Sequence, residues 1–392
     1  MCGAVVDPIR DLLSLPSVRR WLGASIMGRL ASAMAPVAML AIGDTALGSV
    51  AAGARLAAIV TMAVAVFGPI RGRQLDALGV THGLRRAGWQ SAVAVGVFGA
   101  MLQWRPDPAV LNTLSVVLGV ALAPLPAEFR ALLPDLVADH QLPAASNLDA
   151  VAFEVALIGS PAIVALLLWL ASGSVLVVAA VAAAAAASAV LATGLPDRSG
   201  TTLVVEPAGL AWHDAGLVGK LGVALLLGLS GGLLQAGIFS DAERIGASAT
   251  LAAGLLTVIG LGSALGGVIA AIRPPPASAR TAGVLLAGYG AALLATTLSA
   301  HVWLLAAFLF AAGLPVAPVN SVGAVLLERR LPPSRRTTGF TIAASVLTLG
   351  TGLGQATASI TVQAAGATTT LAGAALIPLI AGLTLIAIRS TR

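Results

Sequence analysis

Two ionisable residues stand deep inside apolar sequence, Arg29 and Glu154. Counted from the nearest cytoplasmic boundary, each lies about nine residues along its segment, hence about 13 Å deep at 1.5 Å per helical residue. A lone charge at the middle of a membrane costs at least about 2.5 kcal/mol. Two opposite charges at one depth therefore point to a pair facing the interior of a helix bundle. Two chemistries are open to it. As a permanent ion pair it locks two helices together. Alternatively, Glu154 exchanges a proton while Arg29 holds its charged form or binds an anionic substrate.

Other polar residues carry weaker chemistry. Gln235 and Asn320 sit inside apolar runs, either as cavity contacts or as ordinary interhelical hydrogen bonds. Pro124 and Pro126 remove two helix donors and should bend the segment that carries them. Asp241, Glu243 and Arg244 read as a solvated outer loop. His82, His140, His213 and His301 read as loop residues, spaced too widely for a metal site, so no metal or cofactor is expected. Cys2 is the single cysteine, which excludes an internal disulfide.

The elements that must position these residues follow from composition. Of 392 residues, 58% are hydrophobic and only 10% charged, against about 45–50% apolar and about 25% charged in soluble domains. The chain reads as an all-α, multi-pass membrane protein. Twelve apolar segments are legible, at 19–41, 48–70, 86–103, 109–130, 145–170, 173–194, 217–239, 248–272, 280–299, 302–327, 339–362 and 370–388. Each is long enough to cross about 30 Å of hydrocarbon. The longest polar interruption, 196–216, divides them into six and six, giving domains at 1–195 and 217–392 with a connecting loop between.

Arg and Lys set the orientation. With the N-terminus inside, 18 of the 22 basic residues fall on inner segments. Arg105 and Arg244 fall outside, and Arg29 and Arg55 lie within spans. This positive-inside bias places both termini and the 196–216 loop in the cytoplasm. The net charge is +6, but the basic residues are scattered between apolar runs and form no nucleic-acid-binding face.

The stretch 68–79, followed by Arg85 and Arg86, resembles the loop signature between helices 2 and 3 of the major facilitator superfamily. Gly72, Asp76 and Gly79 match in register; Val80-Thr81 replace the basic pair expected after Gly79. The resemblance extends along nearly the whole chain. It implies twelve transmembrane helices in two six-helix bundles related by pseudo-two-fold symmetry. It also implies a gate in which Gly72 and Gly79 let the chain turn, Asp76 accepts from a helix N-terminus, and Arg73, Arg85 and Arg86 face anionic lipid or acidic partners. The alternative for Asp76 is a simple helix cap or a pair with Arg73. Residues 28–36, 148–161 and 328–340 resemble an exporter-like, mostly actinobacterial branch. There a Gly-Pro pair in helix 5 marks antiport; here Gly159 and Pro161 flank Ser160. The position four before Gly119, where many proton antiporters carry Arg, is Ser115. Glu128 and Arg130, with Asp149 nearby, are candidates for a cytoplasmic gate network.

The function expected from this reading is proton-coupled efflux of a small amphipathic or lipophilic molecule by alternating access, in a monomer of the plasma (cell inner) membrane. The alternatives are an uptake symporter or facilitator and a non-transporting membrane sensor on the same fold. An intramembrane enzyme is disfavoured, since it needs a cluster of acids, histidines or metal ligands near the membrane face. No nucleotide-binding Gly-x-x-x-x-Gly-Lys-Ser/Thr motif is present, which leaves an ion gradient as the energy source.

Overall fold

A computed structural model describes residues 11–104, 106–126, 128–171, 173–196, 215–331 and 336–387. Among them every regular element is helical, as a hydrocarbon environment demands, because only a helix or a closed barrel satisfies its own backbone there. The helices are α1 (Pro16–Thr45), α2 (Val50–Leu78), α3 (Val80–Leu102), α4 (Pro108–Leu122), α5 (Leu142–Leu170) and α6 (Val175–Ala192), then α7 (Ala215–Arg244), α8 (Ala249–Ile272) and α9 (Ala279–Thr296). α10 comes in two segments, Val302–Gly313 and Val316–Glu328. The run Arg336–Ala387 is α11 and α12 joined at Gly366, whose φ of 80° breaks the helical path.

Nine helices among the described residues are long and apolar enough to cross a membrane, the last of them 49 residues long and holding both α11 and α12. With α3 and the shorter, apolar α4 the count reaches twelve. The chain is an all-α multi-pass membrane protein.

Several element ends differ from the sequence reading, each for a physical reason. The helix expected over 109–130 stops at Leu122. Pro124 and Pro126 do not bend it but end it, and a 3₁₀ turn, Glu128–Leu132, follows. α3 begins at Val80, before Arg85, because Gly79 (φ 87°) makes the turn and helix continues through polar residues that an apolar window does not see. His82 is thereby on a helix, not in a loop. Likewise α7 runs on to Arg244, so Asp241 and Glu243 belong to its last turn rather than to a solvated loop. Asp241 is only 2% exposed.

The chain divides into two compact units, Met1–Ala38 with Ala63–Val204 and Met39–Met62 with Val205–Arg392. The second unit thus includes the last two turns of α1 and the first half of α2 together with the C-terminal helices. The 196–216 loop lies almost wholly outside the described residues.

Within each unit, small residues let backbones approach, which drives helix association in lipid where apolar side chains gain nothing over lipid tails. In the first unit, a Cβ on Gly88 of α3 would stand 2.8 Å from the Ala185 carbonyl of α6. Ser188 of α6 donates to the Ala24 carbonyl of α1 at 2.8 Å. In the second unit, Gly228 and Gly232 of α7 face Gly350 and Gly354 of α11, and any side chain at these four positions would collide with the opposite backbone.

Candidate functional site

Among its described residues the first unit holds a buried charged node, built on a helix break. Arg29 of α1 is 4% exposed. Its Nη2 donates to Asp149 Oδ1 at 2.5 Å and its Nη1 to the Asp149 carbonyl at 3.0 Å. Its Nε donates to the Pro126 carbonyl at 3.1 Å. The guanidinium also stands 5.8 Å from the Phe153 ring centre, within cation–π range. One turn of the break further on, Trp21 of α1 donates its indole N–H to the Phe129 carbonyl at 2.8 Å. Pro124 and Pro126 cannot donate, so the chain after Leu122 leaves the α-helical ladder and its carbonyls need other donors. Two side chains of α1 supply them.

Asp149, expected near a gate network, is therefore the partner of Arg29. The expected pairing of Arg29 with Glu154 is not formed. Glu154 is exposed, and among the described residues it makes no salt bridge or hydrogen bond. Five residues separate the two acids, about 7.5 Å along α5 and about 140° around it. Asp149 is on the packed face of α5 with Ala145, Ala152 and Ala156, and Glu154 is on the opposite side.

The loop signature is partly resolved. Gly79 adopts the left-handed φ that a residue with a Cβ would avoid. A Cβ at Gly72 would lie 2.7 Å from Glu128 Oε1, so the glycine makes room for a carboxylate from the 3₁₀ turn. Arg73, Arg86 and Arg130 are exposed, while Arg85 Nη2 and His82 Nδ1 are 3.0 Å apart. The Asp76 side chain lies outside the described residues. In α5, helix is continuous through Gly159 and Pro161, and a Cβ at Gly159 would make only ordinary contact with Leu30.

In the second unit, Gln235 of α7 accepts from Gln355 Nε2 of α11 at 2.8 Å. Of the two readings for Gln235, this is the interhelical hydrogen bond. Gln355 is fully buried and was not singled out from the sequence, where a glutamine among glycines and threonines carries no distinctive spacing. Asn320 is exposed, with no hydrogen bond among the described residues. Asp241 Oδ1 accepts from Arg244 Nε at 2.7 Å, and its buried Oδ2 has no partner among the described residues. No group of three or more His, Cys, Asp or Glu among the described residues could hold a metal ion.

No family model and no curated protein matches the chain. Solved structures do. A crystal structure of the nucleoside transporter NupG aligns with 94% of this chain and 99% of its own, with a TM-score of 0.69 and 13% identity. A crystal structure of the human organic anion transporter MFSD10 aligns with 94% of this chain and 99% of its own, with a TM-score of 0.63 and 17% identity. At such identities the likeness establishes the fold: this chain has the twelve-helix fold of major facilitator transporters.

Proposed function

We propose that the protein is a secondary transporter working by alternating access, exporting a small amphipathic or lipophilic molecule in exchange for protons. The observation that carries the transport reading is the fold itself, matched end to end over 94% of the chain by two transporters. Fold alone is an analogy; the coupling assignment rests on the chain's own residues. Arg29 and Asp149 satisfy one another and tie α1 to α5, which makes them a structural lock. Glu154 is the carboxylate on α5 without such a partner among the described residues. It sits at membrane depth on an exposed face, with no cation paired to it among the described residues. Binding and releasing a proton there changes the charge of that face, which is the elementary event an exchange cycle needs.

The test is transport of a fluorescent lipophilic amine by proteoliposomes carrying an imposed pH gradient. Wild-type protein should move the amine against its gradient and dissipate the pH difference. Glu154→Gln should lose gradient-driven movement yet retain amine exchange across vesicles at equal pH. A variant that still pumps uphill would remove Glu154 from coupling. A second reading, uptake of a small solute, is favoured by the likeness to a nucleoside transporter. It predicts that a labelled nucleoside enters the vesicles together with protons.

A further inference from the structure

A cavity of about 560 Å³ opens on the first unit between α3 and α4, away from the Arg29 node. Its walls are apolar, with Val93 and Val97 from α3 and Leu114, Val117 and Val120 from α4. Trp89, Val93, Val97 and Val117 are exposed, so the groove lies open along its side. On α3 it runs from Trp89 to Val97, about 12 Å at 1.5 Å per residue.

One end is cationic. Arg71, from the inner end of α2, reaches across and donates from Nη2 to Gln90 Oε1 at 2.6 Å and from Nη1 to Gln74 Oε1 at 2.9 Å. Both acceptors are neutral. Its Nε is buried with no hydrogen-bond partner among the described residues. Arg86, one turn from Gln90 on the same face of α3, is exposed. Arg71 thus brings a positive charge and an idle donor to one end of an apolar slot, Arg86 stands one helical turn from its partner Gln90, and neither has a carboxylate paired to it among the described residues. An anion there would meet a guanidinium whose hydrogen-bond acceptors among the described residues are both neutral. Trp89 stands beside Gln90, a side chain that favours the boundary between headgroup and hydrocarbon.

We propose that this groove seats one acyl chain of an anionic phospholipid, whose phosphate is held by Arg71 and Arg86. The polar end is basic and the slot is apolar and open sideways, so the occupant must be an amphiphile with a negative head that arrives from within the membrane. The proposal stands whether or not Glu154 couples protons.

The test is native mass spectrometry of the purified protein, titrated with phosphatidylglycerol and with phosphatidylcholine of the same acyl chains. Each basic contact near the surface contributes about 1 kcal/mol, or about fivefold. The protein should therefore retain one phosphatidylglycerol with a preference of fivefold or more. Arg71→Gln should lose about fivefold for phosphatidylglycerol and leave phosphatidylcholine unchanged. Val93→Trp, which fills the slot but leaves both guanidiniums, should weaken both lipids. Equal retention of the two lipids by wild-type protein would overturn the proposal. So would unchanged binding in Val93→Trp, or full competition by glycerol 3-phosphate, which has the head without the chain. A measurement on wild-type protein avoids any folding defect. Phosphatidylglycerol brominated on its chains should quench more tryptophan emission than brominated phosphatidylcholine, and Trp89→Phe should remove the difference. Equal quenching by the two lipids would also overturn it.

Discussion

Cutting the charge from Asp149 separates a structural lock from a working proton site. In Asp149→Asn the side-chain oxygen still accepts from Arg29, but the guanidinium, 4% exposed, loses its only counter-charge among the described residues. Removing one member of a buried pair costs about 3–5 kcal/mol. Arg29→Met removes the same pairing and also strips the Pro126 carbonyl of its donor, which adds about 1–3 kcal/mol for a buried unsatisfied acceptor. The double change Arg29→Met with Asp149→Leu removes both charges. It should leave only that carbonyl term, since a well-packed apolar replacement of a buried pair is close to neutral. With about 2–4 °C of melting shift per kcal/mol for a unit of this size, Asp149→Asn should melt about 6–20 °C below wild type. The double variant should recover most of that loss. Glu154→Gln, on an exposed site without a partner, should stay within about 0.5 kcal/mol of wild type. The assay is loss of monodisperse protein on heating in detergent. Additive single effects, or an Asp149→Asn shift below about 2 °C, would refute the buried-lock argument.

Gly354→Val should part α7 from α11, because its side chain meets the Leu229 carbonyl; we expect a loss of at least about 1–3 kcal/mol, read as the same heating curve. Asp76→Asn should slow transport in proteoliposomes without reducing membrane insertion, since the carboxylate is proposed to favour a closed inner gate; wild-type rates would reduce it to a cap. Reporter fusions at Arg392 and beside Ser199 should both report the cytoplasm, from the asymmetry of basic residues; an outside report at either site would refute the proposed orientation.

What the sequence determines by itself is the number, order and approximate place of the helices. In hydrocarbon each span must satisfy its own backbone, so a long apolar run can be little else, and twelve runs become twelve helices. The glycine turn at Gly79 is legible for the same local reason: the chain must reverse between two spans there. Depth is also legible, because rise per residue is constant. The direction in which a side chain points around its helix is not. Arg29 and Glu154 share a depth by count, yet a long arginine side chain lets its charge lie well away from its own Cα, and Asp149, about 7.5 Å nearer the start of α5 by the 1.5 Å rise, receives it. Nor could the sequence show that Pro124 and Pro126 end α4 outright and leave carbonyls for Trp21 and Arg29 to take. Those contacts join residues about a hundred positions apart. They exist only because tertiary packing brings α1 against the break, and the same packing pairs Asp149 with Arg29 and leaves Glu154 without a partner among the described residues.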